Sequence, residues 1–236
     1  GLRADMDALP MQEVNTFAHA SKNEGKMHAC GHDGHTAMLL AAAQYLSQHR
    51  DYAGIVYVIF QPAEEGGGGA KRMIDDGLFK RFPMEAVFGM HNWPGMKPGQ
   101  FGLTPGPIMA SSNEFSIVVK GKGTHAGMPN LGIDPVMAAV QLAQSLQTII
   151  TRNRNPLDAA VLSITQIHAG SADNVVPNHA ELRGTVRTFT LDVLDLIERR
   201  MEEITRHTCA AMDCEVEFTF QRNYPPTINH LSLIHI

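Results

Sequence analysis

Gly54-Ile-Val-Tyr-Val-Ile-Phe60 is a continuous run of β-branched and aromatic residues that stops at Gln61-Pro-Ala-Glu-Glu65. Pro62 cannot donate to a strand ladder, so it ends the run. An apolar run of this length without alternation predicts a strand buried on both faces, as in parallel α/β sheets. Upstream, 36–48 carries Met38, Leu39, Ala42, Ala43 and Leu46 at helical spacing, with Gly54 just beyond it. Downstream, 70–78 reads as a short helix closing at Gly77, and 85–90 as the next strand. Strands alternating with helices predict a mostly parallel sheet.

The rhythm changes at 106–110. Residues 114–120 read as a strand, 133–151 as a helix with Pro135 in its first turn, and 159–168 and 181–189 as strands. A helix over 191–210 follows, with Leu194, Ile197, Met201 and Ile204 on one face, and 214–220 closes the set as a strand. The order βαββαβ is that of a ferredoxin-like split βαβ. The expected fold class is therefore α/β, a mostly parallel and incomplete catalytic sheet domain carrying an inserted α+β domain. The expected divisions are 1–109, 110–225 and a returning stub at 226–236.

At 236 residues the chain has room for one large or two modest domains. Apolar residues at 44% and charged residues at 18% describe an ordinary globular protein. Nineteen Lys and Arg against 24 Asp and Glu give a net charge of −5 without a basic block, which argues against nucleic acid or an anionic membrane surface as partner. The 54–60 run falls far short of the ~20 residues of a membrane span. Three cysteines, Cys30, Cys209 and Cys214, do not make a disulfide framework, and a reduced, cytoplasmic setting is expected. The opening Gly1-Leu-Arg-Ala-Asp5 reads as the middle of a longer sequence, and 231–236 as a foreign tail without functional weight.

The polar clusters of the first domain follow its strands. Asp5 and Asp7 follow the opening strand, Glu64 and Glu65 follow Phe60, and His91 follows Met90. Ligands of parallel sheets bind at the carboxyl ends of strands, so these groups can converge on one cleft. His28-Ala-Cys-Gly-His-Asp-Gly-His35 enters the same region just before a helix. Cys, His and carboxylate gathered at strand ends suit a transition metal. Cys30 and His32 would share a side of an extended segment. Glu64 and Glu65, being adjacent, cannot both face one atom from a regular strand, so one is expected to ligate and the other to take a proton from water activated by the metal. Gly66 to Gly69 let the backbone turn tightly beside them. Singly, each residue has a plainer reading, such as a buried Cys or a solvated Glu pair; the combination at loop positions after separate strands carries the weight.

Arg3-Ala-Asp-Met-Asp-Ala-Leu-Pro10, His28-Ala-Cys-Gly-His-Asp33, Gln61-Pro-Ala-Glu-Glu65, Met90-His-Asn92, Thr124-His-Ala-Gly-Met-Pro129 and Asn174-Val-Val-Pro177 together resemble the hippurate hydrolase branch of the metal-dependent aminoacylase and carboxypeptidase family. That branch includes N-acyl-amino-acid amidohydrolases and plant auxin-conjugate hydrolases. The resemblance implies hydrolysis of the amide bond of an N-acyl amino acid at a centre of two divalent ions, Mn2+ or Zn2+, with a lid domain that also forms a homodimer. Position by position, it implies Cys30, His32, Glu65 and His91 as metal ligands and Glu64 as general base. Asp7 matches an acidic residue that supports a first-strand histidine in related branches, a histidine replaced here by Asp5. His125 matches a lid histidine that reaches the scissile carbonyl, often across a dimer. Asn174 and Arg187 match lid positions that meet the substrate, a guanidinium suiting a free carboxylate. His35 reads as a supporting or helix-start residue, and Cys209 and Cys214 as packing.

The resemblance also implies a second catalytic segment bringing a last histidine ligand. His230 and His235 match no such motif, and the expectation is a weakened metal site and little amidase activity in this chain alone. Two other readings remain: a hydrolase using Cys30 as nucleophile, and a non-catalytic metal-binding or dimerisation module.

Overall fold

The computed structural model describes residues 1–233, so His235 lies outside the described residues. The chain divides into two compact units, Gly1–Gln100 and a second from Phe101 onward.

The first unit is built on a parallel sheet. β1 (Leu2–Asp5) lies between β2 (Val58–Gln61) and β3 (Phe88–Gly89), with Leu2 opposite Val58 and Phe88 and Asp5 opposite Gln61. α1 (His32–Gln48) buries His32, His35 and Leu39, an i, i+3, i+7 stripe that stacks on one face. Its neighbours Met38 and Leu40 are exposed, as are Ile55 and Val58. The 54–60 segment is thus not a strand buried on both faces. Only its last three residues enter β2, which continues to Gln61 and, among the described residues, pairs only with β1. Two short helices follow, α2 (Gly69–Asp75) and α3 (Leu78–Arg81), separated by Gly77 at φ +92°.

In the second unit β4 (Gly106–Met109) is followed by β5 (Ser112–Lys120), the short β6 (Thr124–His125), α4 (Pro135–Thr148), β7 (Ala160–Ala169), the short β8 (Val175–Val176), β9 (His179–Thr188), α5 (Leu191–Ala210), β10 (Glu215–Tyr224) and β11 (Thr227–Asn229). The antiparallel sheet β10-β5-β9-β7 with α4 and α5 in the connections is a split βαβ sandwich. α4 starts where Asp134 accepts from the backbone N–H of Val136 at 2.8 Å, with Pro135 at its first position. It buries Ala138, Ala139, Leu142 and Leu146, and its end widens into a π turn over Ile149–Asn153. α5 is capped by the Thr190 hydroxyl and buries Val193, Leu194, Ile197, Met201 and Cys209. Both helices pack onto Ile117, Val119, Leu182 and Val186 of the sheet, all fully buried.

β6 pairs with β8 as a two-stranded ribbon, and β4 pairs with β11. The second pairing explains why the contacts divide at Gln100/Phe101 and not at the expected 109/110. Residues 227–229 close on β4 within the second unit, in place of a stub that stands apart. Among the described residues no helix is long and apolar enough to cross a membrane.

Candidate metal centre

The carboxyl ends of β1, β2 and β3 lead directly into Asp5 and Asp7, Glu64 and Glu65, and His91. α1 begins beside them with His32 as its first residue. The link from Cys30 to His32 is not an extended segment. Gly31 sits at φ +89° as the N-cap, and this left-handed turn places Cys30 Sγ 3.4 Å from His91 Nε2. A Cβ on Gly31 would lie 2.6 Å from Asn92 Oδ1, so glycine is required by conformation and by space. Cys30, His32 and His91 each offer a donor atom within 4.8 Å of the others.

The glutamates also depart from the regular-strand expectation. β2 ends at Gln61, Ala63 adopts φ +54° and Gly66 φ +118°, and this irregular turn aims both carboxylates inward. Glu64 Oε2 and Glu65 Oε1 lie 3.9 and 3.7 Å from His32 Nε2. Gly69 permits the turn, since a Cβ there would lie 1.8 Å from the Pro62 carbonyl oxygen.

The histidine tautomers follow from their partners. His32 Nδ1 lies 2.9 Å from the Asp7 carbonyl oxygen, which can only accept, so Nδ1 carries the proton. His91 Nδ1 likewise donates to the Asn92 carbonyl at 2.7 Å. Each Nε2 is thereby left with its lone pair toward the cluster, the arrangement by which ligand histidines are oriented. His32 Nε2 is buried without a hydrogen-bond partner, facing Asp5 Oδ2 at 3.8 Å as well as the two glutamates. A buried lone pair opposed by carboxylate oxygens is unfavourable unless a cation lies between them. The donor set of thiol, imidazole and carboxylate suits a first-row divalent ion.

The surroundings shift the acids in different directions. Burial, then the Glu65 carboxylate, raises Glu64 above its ordinary value. Burial, followed by the adjacent Glu65, Glu64 and Asp5, pushes the Cys30 thiol up to about 11. For Asp5, burial acts upward but the His35 hydrogen bond and the Arg3 charge outweigh it and hold the carboxyl below its ordinary value. Asp7 is lowered too, its burial outweighed by backbone N–H groups, among them that of Glu65 at 2.9 Å from Oδ2. Asp5 is fully engaged: Oδ1 bonds His35 Nδ1 at 2.6 Å and Oδ2 pairs with Arg3 at 3.0 Å.

The structure thus gathers Asp5, Asp7, Cys30, His32, Glu64, Glu65 and His91 in the first unit. His125 and Asn174 meet in the second, where His125 opposes Val175 across the β6/β8 ribbon and the Asn174 carbonyl accepts from Ala126 N–H at 2.9 Å. Arg187 does not join that ribbon. It lies eight residues along β9 from His179, about 26 Å of strand, with its guanidinium bonded to the Val186 and Asn113 carbonyls and the Thr185 hydroxyl. These bonds hold the guanidinium within the sheet. Sequence reasoning missed Asn92 and Arg3 as parts of the centre. Their signal was adjacency, Asn92 following His91 and Arg3 lying two before Asp5 in β1.

The chain is 44% identical over 230 residues to the hippurate hydrolase of Campylobacter jejuni, covering 98% of this chain and 60% of that protein. It is 45% identical over 231 residues to the N-acyl-L-amino acid amidohydrolase of Geobacillus stearothermophilus, covering 97% and 62%. A crystal structure from Bacillus subtilis, described as a dinuclear metal binding peptidase from the M20 family, superposes with a TM-score of 0.81 at 38% identity, over 99% of this chain and 60% of that one. The chain therefore spans about three fifths of the length of these relatives. The model of Peptidase family M20/M25/M40 matches residues 1–236, and the chain belongs to that family.

Proposed function

We propose that the protein is the metal-binding part of a hydrolase that cleaves the amide bond of N-acyl amino acids. The observation that carries this reading is the buried Nε2 of His32, unpartnered and facing three carboxylates at the carboxyl end of a parallel sheet. Cys30, His32, Glu65 and His91 would hold two divalent cations, Mn2+ or Zn2+. When bound, such ions polarise the scissile carbonyl and acidify the attacking water.

The chain's own residues supply the rest. A raised pKa suits Glu64 Oε2 to accept a proton from the attacking water and to return it to the departing amine nitrogen. Asp7 orients His32 through Nδ1 and ties down Glu65 through its N–H. We assign His125 to the scissile carbonyl oxygen, acting from the second unit as a lid or from the partner chain of a homodimer, with Asn174 beside it toward the substrate. The three cysteines are free thiols, which suits a reducing cytoplasmic setting.

The test is hydrolysis of a panel of N-acyl amino acids, with benzoyl, acetyl and indole-acyl groups, by a chain extended to the length of its relatives. Turnover that a chelator abolishes and Zn2+ or Mn2+ restores supports the reading. Undiminished turnover in metal-free protein would overturn it. Without a cation, burial and the neighbouring carboxylates push the Cys30 thiol up to about 11 and hold it protonated, whereas a nucleophile would need the thiolate.

A further inference from the structure

His35 sits beside the centre with both ring nitrogens engaged by other residues. Its ring centroid is 4.6 Å from that of His91 and 5.4 Å from that of His32, and with Asp5 and His32 it forms a buried triad of metal-binding types. Both of its nitrogens are already taken. Asp5 Oδ1 lies 2.6 Å from Nδ1, and the backbone N–H of Asn92 donates to Nε2 at 2.9 Å. An accepting Nε2 leaves the ring proton on Nδ1, where Asp5 receives it. Asn92 Oδ1 also lies 2.6 Å from Nε2, so Asn92 meets this nitrogen through both its backbone N–H and its side chain.

Asn92 is gripped from the other side as well. Its amide fills the space where Gly31 has no side chain, so a Cβ at Gly31 would lie 2.6 to 2.8 Å from Oδ1, Nδ2 and Cγ. Asn92 is thus wedged between His35 on α1 and Gly31 in the turn after Cys30, and its own carbonyl receives the Nδ1 proton of His91. Asp5 is anchored in turn by Arg3, whose Nε donates to Gln61 Oε1 at 2.8 Å.

We propose that His35 is a positioning residue, not a ligand: by holding Asn92 against Gly31 it fixes the orientation of His91 and the approach of Cys30, and so sets the metal affinity of the centre. The chain Gln61-Arg3-Asp5-His35-Asn92-His91 links β2, β1, α1 and the loop after β3, so the ligand-bearing segments are braced before any ion arrives. This inference rests on the proposed metal centre.

The test measures Zn2+ affinity and stoichiometry by competition with a chelator for wild type, His35→Gln, Asn92→Ala and the double variant. Thermal unfolding of each metal-free protein reports whether it has folded. Each single substitution is expected to weaken Zn2+ binding roughly 10- to 100-fold with the number of ions unchanged. The double variant should be no weaker than the worse single, as for residues in one chain of contacts. Loss of one ion in His35→Gln with none of this effect in Asn92→Ala would make His35 a ligand and overturn the proposal, as would wild-type affinity in both singles or fully additive losses. Should His35→Gln not fold, Asn92→Ser, which keeps the backbone N–H but loses the amide, carries the same expectation. If wild type itself binds no Zn2+, the metal reading fails. The positioning role is then read separately from histidine ring NMR of the metal-free protein: shifted, broadened His91 signals in Asn92→Ala support it, and unchanged signals refute it.

Discussion

The carbonyl oxygen of Asp7 accepts the Nδ1 proton of His32 at 2.9 Å, and the side chain of the same aspartate receives the N–H of Glu65 at 2.9 Å. One residue after β1 thereby orients a donor on α1 and a donor after β2. Asp7→Ala removes the second contact and loosens the loop that makes the first. Divalent-ion affinity, measured by titration against a chelating dye, should fall roughly 10- to 100-fold, the usual loss when a supporting partner of a ligand is removed.

Gly31→Ala meets two obstacles, a φ of +89° and the Asn92 amide 2.6 Å from the new Cβ. Gly25→Ala meets one, since its φ is +68° but nothing lies within 4 Å. The left-handed conformation alone costs about 1–2 kcal/mol in a non-glycine residue. Denaturant unfolding should show Gly31→Ala clearly more destabilising than Gly25→Ala, with metal binding weakened in the former only. Equal losses would mean that Asn92 yields freely.

Asp5 titrates below its ordinary value of 3.8 in the folded chain. A depressed carboxyl contributes stability that is present above the unfolded value and lost as pH falls through the folded one. The stability gap between metal-free wild type and Asp5→Asn should therefore be full near neutrality and close in acid, beginning around pH 3.8 and complete only below the folded value. Urea unfolding at a series of pH values checks this. A gap that persists unchanged at the lowest pH would show that the loss is steric.

Leu142 is fully buried between α4 and the sheet of the second unit. Leu142→Ala should cost about 2–5 kcal/mol of stability through lost contacts and a cavity. Met137, on the exposed face of the same helix, should tolerate alanine within about 0.5 kcal/mol. Chemical denaturation of the two variants compares them directly.

Much of this was legible in the sequence because periodicity reports burial. The helical spacing of 191–210 and the strand read at 181–189 correspond to α5 and β9. The 54–60 run misled because apolarity alone does not say whether a strand has neighbours on both sides, and β2, among the described residues, pairs only with β1. At the centre, residue type and position after strands brought out Cys30, His32, Glu64, Glu65 and His91. The inward turn of both glutamates depends on a positive φ at Ala63, which no local sequence pattern announces. The brace through Asn92 depends on a space at Gly31 that only the fold reveals. That the Arg187 guanidinium bonds the Asn113 and Val186 carbonyls was not legible, because an arginine in a strand reads alike whatever its side chain meets.

In the proposed centre His32 Nε2, Cys30, Glu65 and His91 hold the cation and Glu64 handles a proton instead of holding the ion. Equilibrium Zn2+ binding to the metal-free chain, compared among wild type, His32→Ala and Glu64→Gln, tests this assignment most directly. Measurable binding is expected in wild type, a loss of roughly 100-fold or more in His32→Ala, where a ligand itself is removed and not merely its support, and binding close to wild type in Glu64→Gln. Wild type and His32→Ala binding Zn2+ equally, or Glu64→Gln losing the ion as fully as His32→Ala, would contradict it.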